Sequence, residues 1–237
     1  ASLSAAEAGA SDANHLNTSN LTTGSHILNL VCYAGASADN AACVIAGWTA
    51  DSTRYVKIFT PRGMDFNESL YSQRHEGVWD SEKYIISHTN ASDGIVNNAN
   101  SYTVIEGLQV ENPYTGTSTN RYTIGSISTS YINATVRDCI AKATGAGSYT
   151  KGIYLAGPSH QVINCIAYGF ALEGIYATND TANAGSCYIL NCTAYSCGLG
   201  ICSSTANYRK YKTYAYNCTS FGCGTSDYGN PAGNWHA

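Results

Sequence analysis

Charge is what this chain has least of. Asp, Glu, Lys and Arg make up 12% of its 237 residues, about half the share usual in a soluble domain. The basic residues form no cluster and the net charge is −4. That argues against nucleic acid as a partner, because phosphate binding needs concentrated Lys and Arg. Apolar runs are short too, and none approaches the roughly 18 residues of a membrane span. Ten cysteines are present, yet no CxxC pair and no Cys/His cluster at zinc spacing occurs among them, so no metal site is expected. Gly-x-Ser-x-Gly, Walker-type and dinucleotide fingerprints are missing as well. The expectation is therefore no cofactor and no assigned catalytic residue.

What the chain has instead is Gly, Ser, Thr, Asn, Ala and Tyr, arranged in a repeat. Its units are Asp138-Cys139-Ile140-Ala141, Asn164-Cys165-Ile166-Ala167, Asn191-Cys192-Thr193-Ala194 and Asn217-Cys218-Thr219-Ser220. Their cysteines recur at a nearly constant interval, and strand-like residues at such a period mark a solenoid of stacked coils. Other positions superpose with the cysteines. Val136, Val162, Ile189 and Ala215 stand three before them, and Gly107 in an earlier coil aligns with Asp138 and the asparagines, all types that accept turn or left-handed backbone. Each coil thus reads as strand, tight polar bend, strand. Gly152-Ile153-Tyr154, Gly174-Ile175-Tyr176 and Gly200-Ile201-Cys202 then supply a third strand.

These motifs resemble the right-handed parallel β-helix repeat proteins of the pectate-lyase-like superfamily, over residues 25 to 228 and most clearly from Tyr102 onward. The resemblance implies an all-β, right-handed parallel β-helix, and the cysteine spacing itself gives this solenoid about 26–27 residues per coil in its C-terminal half. It also implies a hydrogen-bonded asparagine ladder through Asn164, Asn191 and Asn217, fading on the N-terminal side where Asp138 and Gly107 depart from the pattern. Folds of this kind carry lyases, hydrolases, tailspikes, adhesins and inert fibres alike.

Along the chain, residues 1–24 read as a leader or cap and 25–237 as one domain. Ser4 and Glu7 have capping-box spacing, which predicts a short helix over about Ala5 to His15 that covers the first strand edge. Strands are expected at His26–Tyr33, Cys43–Trp48, Arg54–Thr60, Tyr84–Ser87 and Gly94–Val96. Met64–Asp80 reads as a loop leaving the solenoid, Asn112–Thr123 as a polar insertion, and the sequence after Phe221 as a decay of the repeat. Beginning on Ala is compatible with a removed signal peptide. Among the Asn-X-Ser/Thr triplets, Asn17, Asn20, Asn67 and Asn90 are the better glycan candidates, since they lie outside the regular coils.

Cys139, Cys165, Cys192 and Cys218 are expected as a stack of inward thiols acting as small apolar fillers. Cys187 should also point inward. Cys197 with Cys223, and Cys32 with Cys43, are candidate disulfides. Outward rows hold Tyr168, Tyr195 and Phe221 beside the second strand and Tyr154 and Tyr176 beside the third. Two readings of these rows stand: contact with sugar or protein, or aromatic support between coils. Glu106 superposes on Arg137 and Glu111 on Lys142, an arrangement that fixes register. The loop residues Arg74, His75, Glu76 and Asp80 are the remaining catalytic candidates.

The reading of function is a secreted or cell-surface, non-enzymatic structural or adhesive β-helix that self-associates, end to end or side by side. A polysaccharide lyase or hydrolase, and a carbohydrate-binding part of a surface fibre, are the alternatives.

Overall fold

The computed structural model describes residues 2–63, 72–89, 94–117, 121–179, 185–203, 212–229 and 234–235. Its strands wind into an all-β parallel solenoid of about six turns. Each full turn gives one strand to each of three sheets. The first sheet holds Leu28–Val31, Val56–Phe59, Thr103–Glu106, Ala134–Arg137, Gln161–Ile163, Cys187–Leu190, Thr213–Tyr216 and Asn234–Trp235. The second holds Ile85–Ser87, Gln109–Asn112, Ile140–Ala143, Ile166–Tyr168, Thr193–Tyr195 and Thr219–Phe221. The third runs from Cys43–Ala46 through Val96–Ala99, Arg121–Ser126, Thr150–Ala156, Glu173–Thr178 and Leu199–Cys202 to Ser226–Gly229.

Register is strict. In the first sheet Ile58, Ile105, Val136, Val162, Ile189 and Ala215 pair in succession. In the second, Ile86, Val110, Ala141, Ala167, Ala194 and Ser220 do the same. Most of these side chains are wholly buried, so alternation puts like residues over like inside the coil and fills the core with aliphatic columns.

The bend between the first two sheets requires left-handed backbone. Gly107, Asp138, Asn164, Asn191 and Asn217 take it, with φ of 74°, 53°, 52°, 54° and 49°. Glycine has no Cβ to clash there, and Asn and Asp tolerate the conformation better than other residues. Asn217 Nδ2 donates to Asn191 Oδ1 at 2.7 Å, and Asn164 Nδ2 donates to Asp138 Oδ1 at 3.2 Å. Two separate rungs therefore form, one of them reaching Asp138. Among the described residues no side-chain bond joins Asn191 to Asn164, so the expected ladder through Asn164, Asn191 and Asn217 is interrupted between its first two members. A carboxylate oxygen accepts the amide proton as well as an asparagine oxygen would.

Three expectations need correction. The N-terminal helix is Leu3–Gly9, capped by Ser2, whose hydroxyl accepts from Ala5 N–H. Glu7 caps nothing in that helix. Its Oε1 accepts from Ala46 N–H and Trp48 Nε1–H on the neighbouring coil, so a tertiary contact outweighs the local capping box. A second short helix, Leu21–Gly24, comes next. The polar insertion ends in a true strand, Arg121–Ser126, and the tail beyond Phe221 still adds Ser226–Gly229 and Asn234–Trp235 to their sheets.

One buried base fixes how the interior answers to pH. His160 is fully buried, accepting from Ala134 N–H at Nδ1 (3.0 Å) and facing Ala156 O through Nε2 (3.3 Å). The geometry calls for a neutral ring protonated at Nε2. Burial pushes its pKa down to about 4, only partly opposed by the Ala156 carbonyl. The unfolded chain, near 6.5, takes up its proton first. Stability present above pH 6.5 is thus lost as pH falls through 4, by roughly 3 kcal/mol. Urea unfolding measured across that range should show the loss, and His160→Gln should flatten it. An unchanged slope in the variant would remove His160 as its cause.

Candidate functional site

The aromatic rows form as columns along the solenoid. Tyr168 and Tyr195 stack at 4.7 Å with 5° between planes, and Tyr195 and Phe221 at 5.4 Å and 9°. Tyr154 and Tyr176 stack at 4.4 Å and 5°. These separations match the rise from coil to coil, about 4.8 Å. Ring faces are therefore turned toward one another along the axis, and edges toward solvent. Tyr195 has both faces occupied, Tyr176 is buried, and the Lys151 ammonium lies 4.2 Å over the Tyr154 ring. Below Tyr168 the row continues as Lys142, held 3.3 Å from Glu111 and 4.2 Å over the Trp79 ring. Sugar stacking needs an open face, which leaves Tyr154, Tyr176 and Tyr195 better suited to bracing coils. Phe221, on the edge strand of the second sheet, stacks on Tyr195 alone among the described residues and is exposed.

Cysteines form a second kind of column. Cys139, Cys165, Cys192 and Cys218 each donate to the carbonyl two residues back at 3.2 Å. Each also reaches a carbonyl of the preceding coil at 3.4–3.7 Å. Cys197 and Cys223 sit in matching places at the next bend, above Tyr195 O and Phe221 O respectively. All ten cysteines are thiols, including the candidate pairs Cys32 with Cys43 and Cys197 with Cys223. Thiols are weak donors, and here they serve the bend carbonyls as well as filling space. Burial raises the Cys197 thiol to about 11.

Three of the four catalytic candidates, Arg74, His75 and Glu76, lie against the first bend. Arg62, Ser72, Arg74, His75, Glu76, Gly77, Asp138 and Asn164 line a cleft of about 420 Å³. Arg74 reaches from the loop into the coil, where its guanidinium is 4% exposed. It donates to Thr60 O at 2.8 and 3.2 Å, to Glu106 Oε1 at 2.6 Å and, more weakly, to Asp138 Oδ2 at 3.5 Å. Glu106 takes two further cations, Arg137 at 2.6 Å and Lys57 at 3.2 Å. Desolvation favours its neutral form, but bonds from Arg137, Arg74 and Lys57 win and hold it at about 2. His75 is buried. Its Nδ1 accepts from Gly77 N–H, and burial lowers its pKa despite the nearby Asp138 main chain.

Glu106 and Arg137 were legible as neighbours on adjacent coils, and so were Glu111 and Lys142. The structure joins both pairs. It differs in making Glu106 a largely buried centre of three cations. Arg74 carried no periodic signal, because a loop side chain returning to the coil leaves no trace in the repeat. Asp80 lies apart from Arg74 and His75, its carbonyl and N–H bonded to the Gln109 amide. Of the glycan candidates, Asn17 is exposed, while Asn20 caps the second helix through its side-chain oxygen. Asn67 and Asn90 lie outside the described residues.

Among the described residues no group of three or more His, Cys, Asp or Glu is placed to hold a metal ion, and no helix is long and apolar enough to cross a membrane. No protein family matches the chain, and neither a curated protein nor a solved structure is similar to it.

Removing one member of a buried ionic cluster costs several kcal/mol, because the partners stay behind unpaired. Arg74→Gln leaves Glu106 with two cations and should lower stability by roughly 2–4 kcal/mol. The Glu106 pKa is depressed, so its contribution is present above 4.5 and lost as pH falls through about 2. That acid loss should shrink in the variant. Urea unfolding at pH 7 and in this window measures both, and wild-type values in both would refute Arg74 as a latch that ties its loop to the coil through Thr60, Glu106 and Asp138.

Proposed function

We propose that this chain is a non-enzymatic structural or adhesive solenoid, working outside the cell or on a cell surface, and built after the right-handed pattern of the pectate-lyase-like superfamily. The reading is carried by how the ionisable groups in the Arg74 cleft and behind it are engaged. Glu106, held near 2, is fully ionised at neutral pH and too weakly basic to accept a proton. Arg74 spends its donors on Thr60, Glu106 and Asp138, and His75 Nδ1 is taken by the Gly77 N–H of its own loop. The Arg74 contacts fasten a loop to the coil, which is a structural task.

Self-association belongs to the same reading, through the sides of the solenoid. The helix Leu3–Gly9 packs on the first coil, and Glu7 occupies the Ala46 N–H at the edge of the third sheet. Covered edges do not template further strands. Side-by-side packing is consequently favoured over growth through this end.

Incubation with neutral and acidic polysaccharides tests the reading. Retention on one or more of them is expected, with neither reducing ends nor unsaturated products released. Product formation that disappears in His75→Ala would overturn it in favour of a lyase or hydrolase.

A further inference from the structure

A second cleft, of about 330 Å³, opens on the outer side of the first sheet. It lies where Val56–Phe59, Thr103–Glu106 and Ala134–Arg137 begin. Val56 pairs with Thr103 and Thr103 with Ala134, so the residues just before them, Tyr55, Tyr102 and Asn133, stand one above another along its wall. Ser52 and Thr135 complete the polar lining, beside Asp51 and Val104.

These tyrosines differ from those of the braced columns. Tyr154, Tyr168 and Tyr195 turn their faces to neighbouring rings. Tyr55 and Tyr102 are half-buried and, among the described residues, take part in no ring contact and have no hydrogen-bond partner for their hydroxyls. The Asn133 amide and the Ser52 and Thr135 hydroxyls are likewise unpartnered among the described residues. Backbone geometry adds a second observation. Tyr102 has φ of 55°, a left-handed conformation that an aromatic residue adopts only at a cost, whereas Asn133 on the next coil, also at 55°, suits it. The bend imposes this backbone on successive coils, Ser159 included at 62°, and the Tyr102 ring is carried on it beside the cleft.

Charge narrows the ligand. Asp51 is the carboxylate of the cleft, and it is engaged. Its Oδ1 accepts from Thr53 N–H, Thr53 Oγ1–H and Arg54 N–H, and its Oδ2 pairs with the Arg54 guanidinium at 2.8 Å. What remains is two aromatic rings and a set of neutral donors and acceptors. A sugar ring offers the matching surface, an apolar C–H face and a rim of hydroxyls.

We propose that this cleft binds a neutral saccharide, one or two units of a longer glycan, with Tyr55 and Tyr102 against the ring faces and Asn133, Ser52 and Thr135 on the hydroxyls. This rests on the adhesive reading above and names its ligand class. The test is titration of immobilised neutral oligosaccharides (β-1,3- and β-1,4-glucan, mannan and chitin series) with wild type, Tyr55→Ala, Tyr102→Asn and Tyr168→Ala. Asparagine suits the left-handed backbone, so Tyr102→Asn should melt at or above the wild-type temperature while losing tenfold or more in affinity. Tyr55→Ala should show a similar loss, and Tyr168→Ala should bind as wild type. No neutral glycan bound at millimolar concentration, or full affinity in Tyr102→Asn, overturns the site. Retention of acidic glycans alone, or loss confined to Tyr168→Ala, also overturns it while leaving adhesion itself standing.

Discussion

Everything in this molecule depends on one geometric condition: each coil must close at the same height over the same point as the coil beneath it. The residue that permits closure is the left-handed one at the first bend, Gly107, Asp138, Asn164, Asn191 or Asn217. Once closure is in register, parallel strands hydrogen-bond along their whole length, and every side chain meets its counterpart from the next turn. Columns arise without further instruction. Valine and isoleucine fill the interior, thiols serve the bend carbonyls, Asn164 and Asn217 donate their amides to the coil beneath, and tyrosines stack edge-out on the surface.

The same condition decides what the columns can do. A ring whose faces are taken by the rings above and below it has little left for a ligand, so the most conspicuous aromatic residues are the ones least suited to recognition. Chemistry moves to places where the column is broken. At the Arg74 cleft a loop enters the coil, and the opportunity is spent on ion pairs to Glu106 and Asp138. At the starts of the first-sheet strands the column changes from Tyr55 and Tyr102 to Asn133, and groups are left open there.

Much of this was legible because the last four coils repeat with few insertions. The recurring Asn-Cys pair announces both the bend and the strand after it. The earlier coils hide the period, since Val56 pairs with Thr103 across a far longer stretch that contains the loop residues 72–80. Arg121–Ser126 was missed for a related reason. Gly125 breaks the strand pattern, and it must be glycine because a Cβ there would overlap the Tyr154 carbonyl oxygen. The Arg74 latch and the Tyr55–Tyr102 cleft were not readable at all. Both depend on which segments the coils bring side by side, and neither contributes to the periodicity that revealed the coils.

The stacking itself can be measured in solution. Asn29 and Tyr214 face outward on the first sheet, joined in register through Lys57, Val104, Thr135, Gln161 and Tyr188. Six steps of about 4.8 Å separate them, or roughly 29 Å. Pulsed dipolar spectroscopy between nitroxide amino acids at the two positions should give one narrow distribution near that value. A broad distribution, or a mean displaced by two coil rises or more, roughly 10 Å, would contradict a column of coils in register.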